Sequence, residues 1–168
     1  DSVTTIGDYA FYFCDNLTDV TIGNGVTSIG SYAFSDCISL TEIIIPDSVE
    51  TIGSYAFQNC INLEKVTFRT SDTTAEALLA INSYTFGGCR SLKEIVNLPS
   101  TVQGINTYGF AGCTSLSKIN SDEEGTINLP AGFTTFGGSA TSNADIFEGC
   151  VSIKKIIIPA GVKVISAE

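Results

Sequence analysis

The chain has 168 residues, 43% of them hydrophobic and 15% charged, a composition that suits one folded domain and excludes a disordered segment. Eight Lys and Arg against eighteen Asp and Glu give a net charge of −10, which repels a phosphate backbone and excludes nucleic acid as a partner. No apolar run is long enough to span a bilayer, and the absence of His removes the usual general base, so neither membrane insertion in this segment nor catalysis is expected.

The first unit runs from Ile6-Gly7 through Tyr9, Phe11 and Cys14 to Leu17, Asp19 and Thr21. The second repeats it: Ile29 opens IGSYAFSDCISLTEIIIPDSVET, and Ile52 opens the next copy. The working consensus is IGxYAFxxCxxLxxIxIPxxVxx. Along the chain it sets out a Phe column (Phe11, Phe34, Phe57, Phe86, Phe110, Phe147) and, three residues on, a Cys column (Cys14, Cys37, Cys60, Cys89, Cys113, Cys150). Both have successive gaps of 23, 23, 29, 24 and 37. Tyr9, Tyr32, Tyr55, Tyr84 and Tyr108 precede five of the Phe by two residues, and Asp145 stands at the sixth position. Leu17, Leu40, Leu63, Leu92, Leu116 and Ile153 follow the Cys by three.

Within the second unit, the run from Leu40 to Ile45 predicts a strand with Leu40, Ile43 and Ile45 inward and Glu42 and Ile44 outward. Pro46 ends it, because a residue without an N–H cannot continue a ladder. The segment Gly53 to Cys60 in the third unit predicts a single helical turn carrying Phe57 and Cys60 on its inner face. The third unit then has six extra residues between Phe68 and Leu78. The fourth has one between Ile95 and Leu98, consistent with a β-bulge. The fifth has eight around Asp122-Glu123-Glu124, read as a solvated loop, and the sixth has six more within Gly137 to Asp145.

The motif IGSYAFSDC with LTEIIIP, its sixfold recurrence and its 23-residue period resemble the BspA-like leucine-rich repeats, also called the Treponema pallidum-type repeat. The expected fold is therefore an α/β repeat: a right-handed leucine-rich-repeat solenoid of six turns, with a parallel β-sheet and short helical turns, over a single domain 1–168. At an inter-strand spacing of about 4.8 Å the six turns span roughly 29 Å. The resemblance implies a surface or secreted protein that adheres to host matrix or to neighbouring microbes, and it brings no catalytic residues.

The six Cys are expected to be reduced and structural, since parallel side chains in a ladder conflict with the dihedral angle of a disulfide. Without His or a CxxC pair, neither a metal nor a cofactor is expected. Each Tyr is expected to lie against the next rung with its hydroxyl at the edge, the alternative being a platform for sugars. The candidate binding residues are on the outward strand face. One column is Asp19, Glu42, Lys65, Glu94, Lys118 and Lys155, and the second is Thr21, Ile44, Thr67, Val96, Asn120 and Ile157. From these, Asp19, Glu42, Ile44, Lys65, Thr67, Glu94, Lys118 and Lys155 form the candidate site. The competing reading is that the charges only satisfy one another as cross-strand pairs.

The expected function is a non-enzymatic extracellular binding or adhesion module for a host matrix or cell-surface protein, or a glycan. A structural spacer presenting another domain is the alternative. Asp1 to Gly7 repeat the pattern of Asp47 to Gly53, neither end looks like a polar cap and Met is absent, so the chain is expected to be an excerpt of a longer repeat protein.

Overall fold

A 23-residue unit buries too little apolar area to fold alone, so each copy must lie on the next. The computed structural model describes residues 2–69, 78–136 and 145–162. They form β1 Thr5–Ile6, β2 Ser28–Ile29, β3 Glu42–Ile45, β4 Thr51–Ile52, β5 Lys65–Phe68, β6 Ala80–Ile81, β7 Glu94–Val96, β8 Gly104–Ile105, β9 Lys118–Ile119, β10 Thr126–Asn128, β11 Thr135–Phe136 and β12 Lys155–Ile157. The main sheet has the order β12-β10-β9-β7-β5-β3, and two three-stranded ribbons, β1-β2-β4 and β11-β8-β6, hold the short second strands. All of these pairs are parallel. This is the leucine-rich-repeat solenoid that the sequence predicts.

The main strands alternate as expected. In β3, Ile43 and Ile45 are buried while Glu42 and Ile44 are exposed, and β5 buries Val66 and Phe68. Leu40, Leu63, Leu92 and Leu116 lie fully inside. The first unit forms no strand of the main sheet, so Asp19 and Thr21 stand outside the ladder.

The expected helical turn is not a helix, and the element is better described as a chain of β-turns. Tyr9, Tyr32, Tyr55, Tyr84 and Tyr108 all have positive φ, between 55° and 63°, and a left-handed residue breaks an α-helix at once. The hydrogen bonds show what the break gains. Ala33, Ser35 and Cys37 donate N–H to Gly30, Tyr32 and Phe34 within the turn, while Tyr32, Phe34 and Asp36 donate across to Ser54, Ala56 and Gln58 of the next rung. An α-helix would keep all of these bonds to itself. Alternating directions instead tie each turn to its neighbour and leave the polar backbone satisfied.

The Phe rings stack along the whole molecule. Centroids from Phe11 to Phe34, Phe57, Phe86, Phe110 and Phe147 are 5.0, 5.3, 5.5, 5.4 and 5.8 Å apart, with planes within 9° of parallel. The Cys column has its own bond. The Cys37 thiol donates to the Phe11 carbonyl, Cys60 to Phe34, Cys89 to Phe57, Cys113 to Phe86 and Cys150 to Phe110, at 3.0–3.1 Å. Each of these Phe carbonyls also accepts the N–H of the Cys in its own unit, so the thiol fills the second lone pair. All six Cys are free. Burial pushes the Cys37 and Cys150 thiols up to about 11, and Cys60, Cys89 and Cys113 higher still.

The extra residue of the fourth unit is taken up at Asn97, which is left-handed at φ 56° just after β7. The insertions expected between Phe68 and Leu78 and within Gly137 to Asp145 fall mainly on 70–77 and 137–144, outside the described residues.

Two measurements check this core. Phe57→Ala is expected to cost about 3–5 kcal/mol in denaturant unfolding, as for other fully buried Phe residues, whereas a loss below about 1 kcal/mol would remove Phe57 from the core. In the native protein at about pH 8, Cys37, Cys60, Cys89 and Cys113 are expected to resist iodoacetamide, because the thiolate is the reacting form and burial suppresses it. Mass spectrometry after unfolding should then find all six alkylated.

Candidate binding face

Outward residues of the main strands come into register as the repeat dictates: Glu42 beside Lys65, Lys65 beside Glu94, and Glu94 beside Lys118. Lys65 Nζ lies 2.7 Å from Glu94 Oε1, and Lys118 Nζ lies 3.1 Å from Glu94 Oε2. One carboxylate therefore bridges two ammonium groups. The hydrogen bonds from Lys65 and Lys118 hold the Glu94 carboxyl below the usual carboxylate range, and the Glu94 bond raises Lys65. A parallel pair joins Lys93 to Glu64 at 2.8 Å. These candidate residues do pair across strands, as the competing reading expects.

Lys155 departs from the expected column. The structure puts Thr126 beside Lys155 and Ile127 between Ile119 and Ile156, because the eight extra residues of the fifth unit supply a further strand, β10. Asp122-Glu123-Glu124 is therefore the approach to a strand as well as a charged loop. Lys155 turns to Glu123, at 3.3 Å. A signal for this strand was present: Ile127 and Pro130 have the same spacing as Ile43 and Pro46. Asn128 is a partly exposed outward residue that the column reading missed, whereas Thr126 is buried.

The second column is likewise interrupted. Ile44, Thr67 and Val96 are neighbours, and Ile157 lies beside Asn128. Asn120 leaves the column: it is left-handed at φ 48°, its Oδ1 accepts the Leu98 N–H at 2.8 Å, and its Nδ2 donates to the Leu98 carbonyl at 2.9 Å. The amide thus caps backbone that β9 no longer pairs. Beside this break is a cleft of ≈ 490 Å³ bounded by Glu94, Asn97, Ser100, Lys118 and Asp122. That volume is within the usual range for small-ligand sites, and the lining mixes polar and apolar surface about evenly.

The Tyr column forms a second surface. Tyr9, Tyr32, Tyr55, Tyr84 and Tyr108 stack at 4.9, 4.6, 4.9 and 4.7 Å between centroids. A stacked ring has given its faces to its neighbours, so the interior Tyr offer solvent only edges and hydroxyls. A sugar stacks on a ring face, which these positions do not present. At the far end Asp145 replaces the sixth Tyr, and its hydrogen bond, the largest influence on the group, raises the Tyr108 phenol. Among the described residues no three His, Cys, Asp or Glu side chains come together to hold a metal. Nor is any helix among them long and apolar enough to cross a membrane.

Residues 1–77 and 70–168 match the BspA type leucine rich repeat region, in six copies. The chain belongs to this family. The BspA-type fold is shared with solved structures. A leucine-rich repeat protein from T. pallidum superimposes with a TM-score of 0.75 at 28% identity, over 94% of this chain and 64% of that one. One from Bacteroides ovatus gives 0.66 at 26% identity, over 96% and 42%. A leucine rich cell surface protein from Faecalibacterium prausnitzii shares the fold at 0.53 and 20% identity, over 93% and 57%. This BspA-type chain thus spans less than two thirds of the length of each. No curated protein matches it. Leucine-rich repeat proteins are in general protein-binding or structural, and typically not enzymes.

The bridge at Glu94 has a pH signature. A carboxyl whose folded pKa is depressed contributes stability above its unfolded value, near 4.3, and that contribution is lost as pH falls through the folded value. Glu94→Gln is therefore expected to lower stability near pH 7 by no more than about 1 kcal/mol, since the pairs are partly exposed. The difference from the parent should shrink as the pH falls from 7 through the unfolded value and on through the lower folded value of Glu94. Thermal melts of both proteins between those pH values check it.

Proposed function

We propose that this chain is a non-enzymatic extracellular binding module, an adhesin segment, that engages a host matrix or cell-surface protein through its strand face and the loop leading into β10. The observation that supports this most is the division of labour between positions. Phe, Cys and Leu columns are nearly invariant among the six units, while the outward residues and the 121–124 loop differ from rung to rung. An extended sheet face gathers many weak contacts onto one large partner, which suits a protein better than a small molecule. Among glycans, a polymer lying in the cleft beside Asn97 and Asp122 is the compatible kind, because the interior Tyr faces are closed. Placement outside the cell is compatible with the free thiols of Cys37, Cys60, Cys89 and Cys113, whose burial keeps them from the reactive thiolate.

A second reading has its own observation. Because Glu42, Lys65, Glu94 and Lys118 alternate and balance in charge, the face also suits a spacer that holds another domain away from a surface.

The two readings separate by mutation. Lys65→Gln with Lys118→Gln removes both cations without adding charge, and the strand core is untouched. The double variant is expected to keep its fold and to lose binding to a partner recovered from host matrix or mucin extracts, with the loss shrinking at high salt. If it binds normally while shortening the 121–124 loop abolishes binding, the loop edge is the site. If neither change matters, the spacer reading stands.

A further inference from the structure

The turn that leads from the main strand position to the short second strand is closed in the same way in every unit where it is described. Val26 donates its N–H to the Gly23 carbonyl, Val49 to Pro46, Val102 to Pro99, Phe133 to Pro130 and Val162 to Pro159, at 3.0–3.2 Å. The two central residues are Asp47-Ser48, Ser100-Thr101, Ala131-Gly132 and Ala160-Gly161 in units two, four, five and six, but Asn24-Gly25 in unit one. This is the one Asn-Gly pair in the chain. Gly23 also stands where the other four turns begin with Pro, so the backbone here lacks the ring that fixes φ.

An Asn side chain can close onto the backbone nitrogen of the next residue, and Gly hinders that approach least because it has no Cβ. Asn24 is exposed, and no described residue accepts the Gly25 N–H. The openness belongs to the turn itself. Ala131 holds the same position with the turns of units four and six packed on either side, through Gly132 N–H on the Ser100 carbonyl and Gly161 against the Phe133 carbonyl, and it is exposed too. The Arg69 guanidinium reaches back two rungs and donates to Asn24 Oδ1 at 3.3 Å. A cation on that oxygen makes the amide carbon more electrophilic and stabilises the oxyanion that forms when a nitrogen attacks. The Asn residues followed by Ser or Thr are held differently. Asn82 Nδ2 donates to the Ile52 carbonyl at 2.7 Å, Asn106 Nδ2 donates to Asn82 Oδ1 at 3.0 Å, and Asn120 is tied to both backbone groups of Leu98.

We propose that Asn24-Gly25 is a modification site, at which Asn24 deamidates through a succinimide with the Arg69 guanidinium assisting. Hydroxide removes the Gly25 amide proton, and that nitrogen forms a bond to Asn24 Cγ. The bond from Cγ to the side-chain nitrogen then breaks, and ammonia leaves with a proton from water. A second water opens the ring at either carbonyl, giving Asp or isoaspartate. The change is hydrolytic, with no electron transferred and no cofactor used. Either product sets a carboxylate in reach of Arg69, so a charge-assisted ion pair replaces the amide contact. The isoaspartate branch also lengthens the main chain of the turn by one methylene. The site lies apart from the strand face and holds whichever reading of that face is right.

The test incubates the full native chain in mildly alkaline buffer at body temperature and follows every Asn peptide by mass spectrometry, which reads the exchange of the amide NH2 for OH. The Asn24 peptide is expected to convert first, while those of Asn82, Asn106 and Asn120 stay intact. Gly25→Ala is expected to slow the conversion about tenfold, folded or unfolded, because its Cβ hinders the attack. Arg69→Gln is expected to slow it about threefold in the native protein, a modest factor because the contact is exposed, and to leave the urea-unfolded chain unaffected. Arg69→Lys keeps the charge and should recover part of the rate, and circular dichroism should show both variants folded. Conversion of Asn82, Asn106 or Asn120 ahead of Asn24 overturns the proposal, as does an Asn24 that stays intact in the native protein while the unfolded chain converts. An Arg69→Gln protein that is folded and converts as fast as the parent or faster also overturns it, since Arg69 would then shield the amide or leave it alone.

Discussion

The structure depends on one constraint: every residue meets its own counterpart in the next rung, at about the spacing of neighbouring strands. Whatever side chain a position holds must therefore pack against a copy of itself. Phe and Tyr meet this demand as offset parallel stacks, a favourable geometry for aromatic pairs. Cys meets it differently, because its thiol reaches back to the Phe carbonyl of the preceding rung. Like charges cannot meet it in a column, and the alternation of Glu42, Lys65, Glu94 and Lys118 follows.

The same constraint explains which features the amino-acid order reveals. Leu40, Ile43, Ile45, Phe57 and Cys60 are legible because packing dictates them and period-two alternation marks their direction. The turn conformation is not legible from the Phe57 to Cys60 spacing, since a helical turn and a chain of β-turns both put residues three apart on one side. Only the backbone distinguishes them. Tyr in a left-handed conformation is uncommon enough that no residue-type rule suggests it. In β10 the hydrophobic signal of Ile127 and Pro130 is short and follows three acids, so the charge run conceals a strand. That concealed strand displaced Lys155 from the column to which counting assigns it, while the Lys65, Glu94 and Lys118 assignments needed only the undisturbed period.

A stack of this kind also separates stability from recognition. Side chains on the outer strand face contribute little to folding, since exposed pairs are weak, so they can change from rung to rung without cost to the core. The left-handed position two residues after the column Phe is a different case, because five of its six units hold Asp, Asn or Gly, residues that tolerate this backbone. A departure at such a position carries more information than a departure on the strand face, where variation is nearly free. Phe13 is a departure of the first kind, left-handed at φ 56° with its ring edge-on to Tyr12 at 4.5 Å. The charged outward residues of the main sheet can be explained by their mutual pairing alone, whereas on the first rung Tyr9 continues the Tyr stack and Tyr12 and Phe13 pack edge-on beside it.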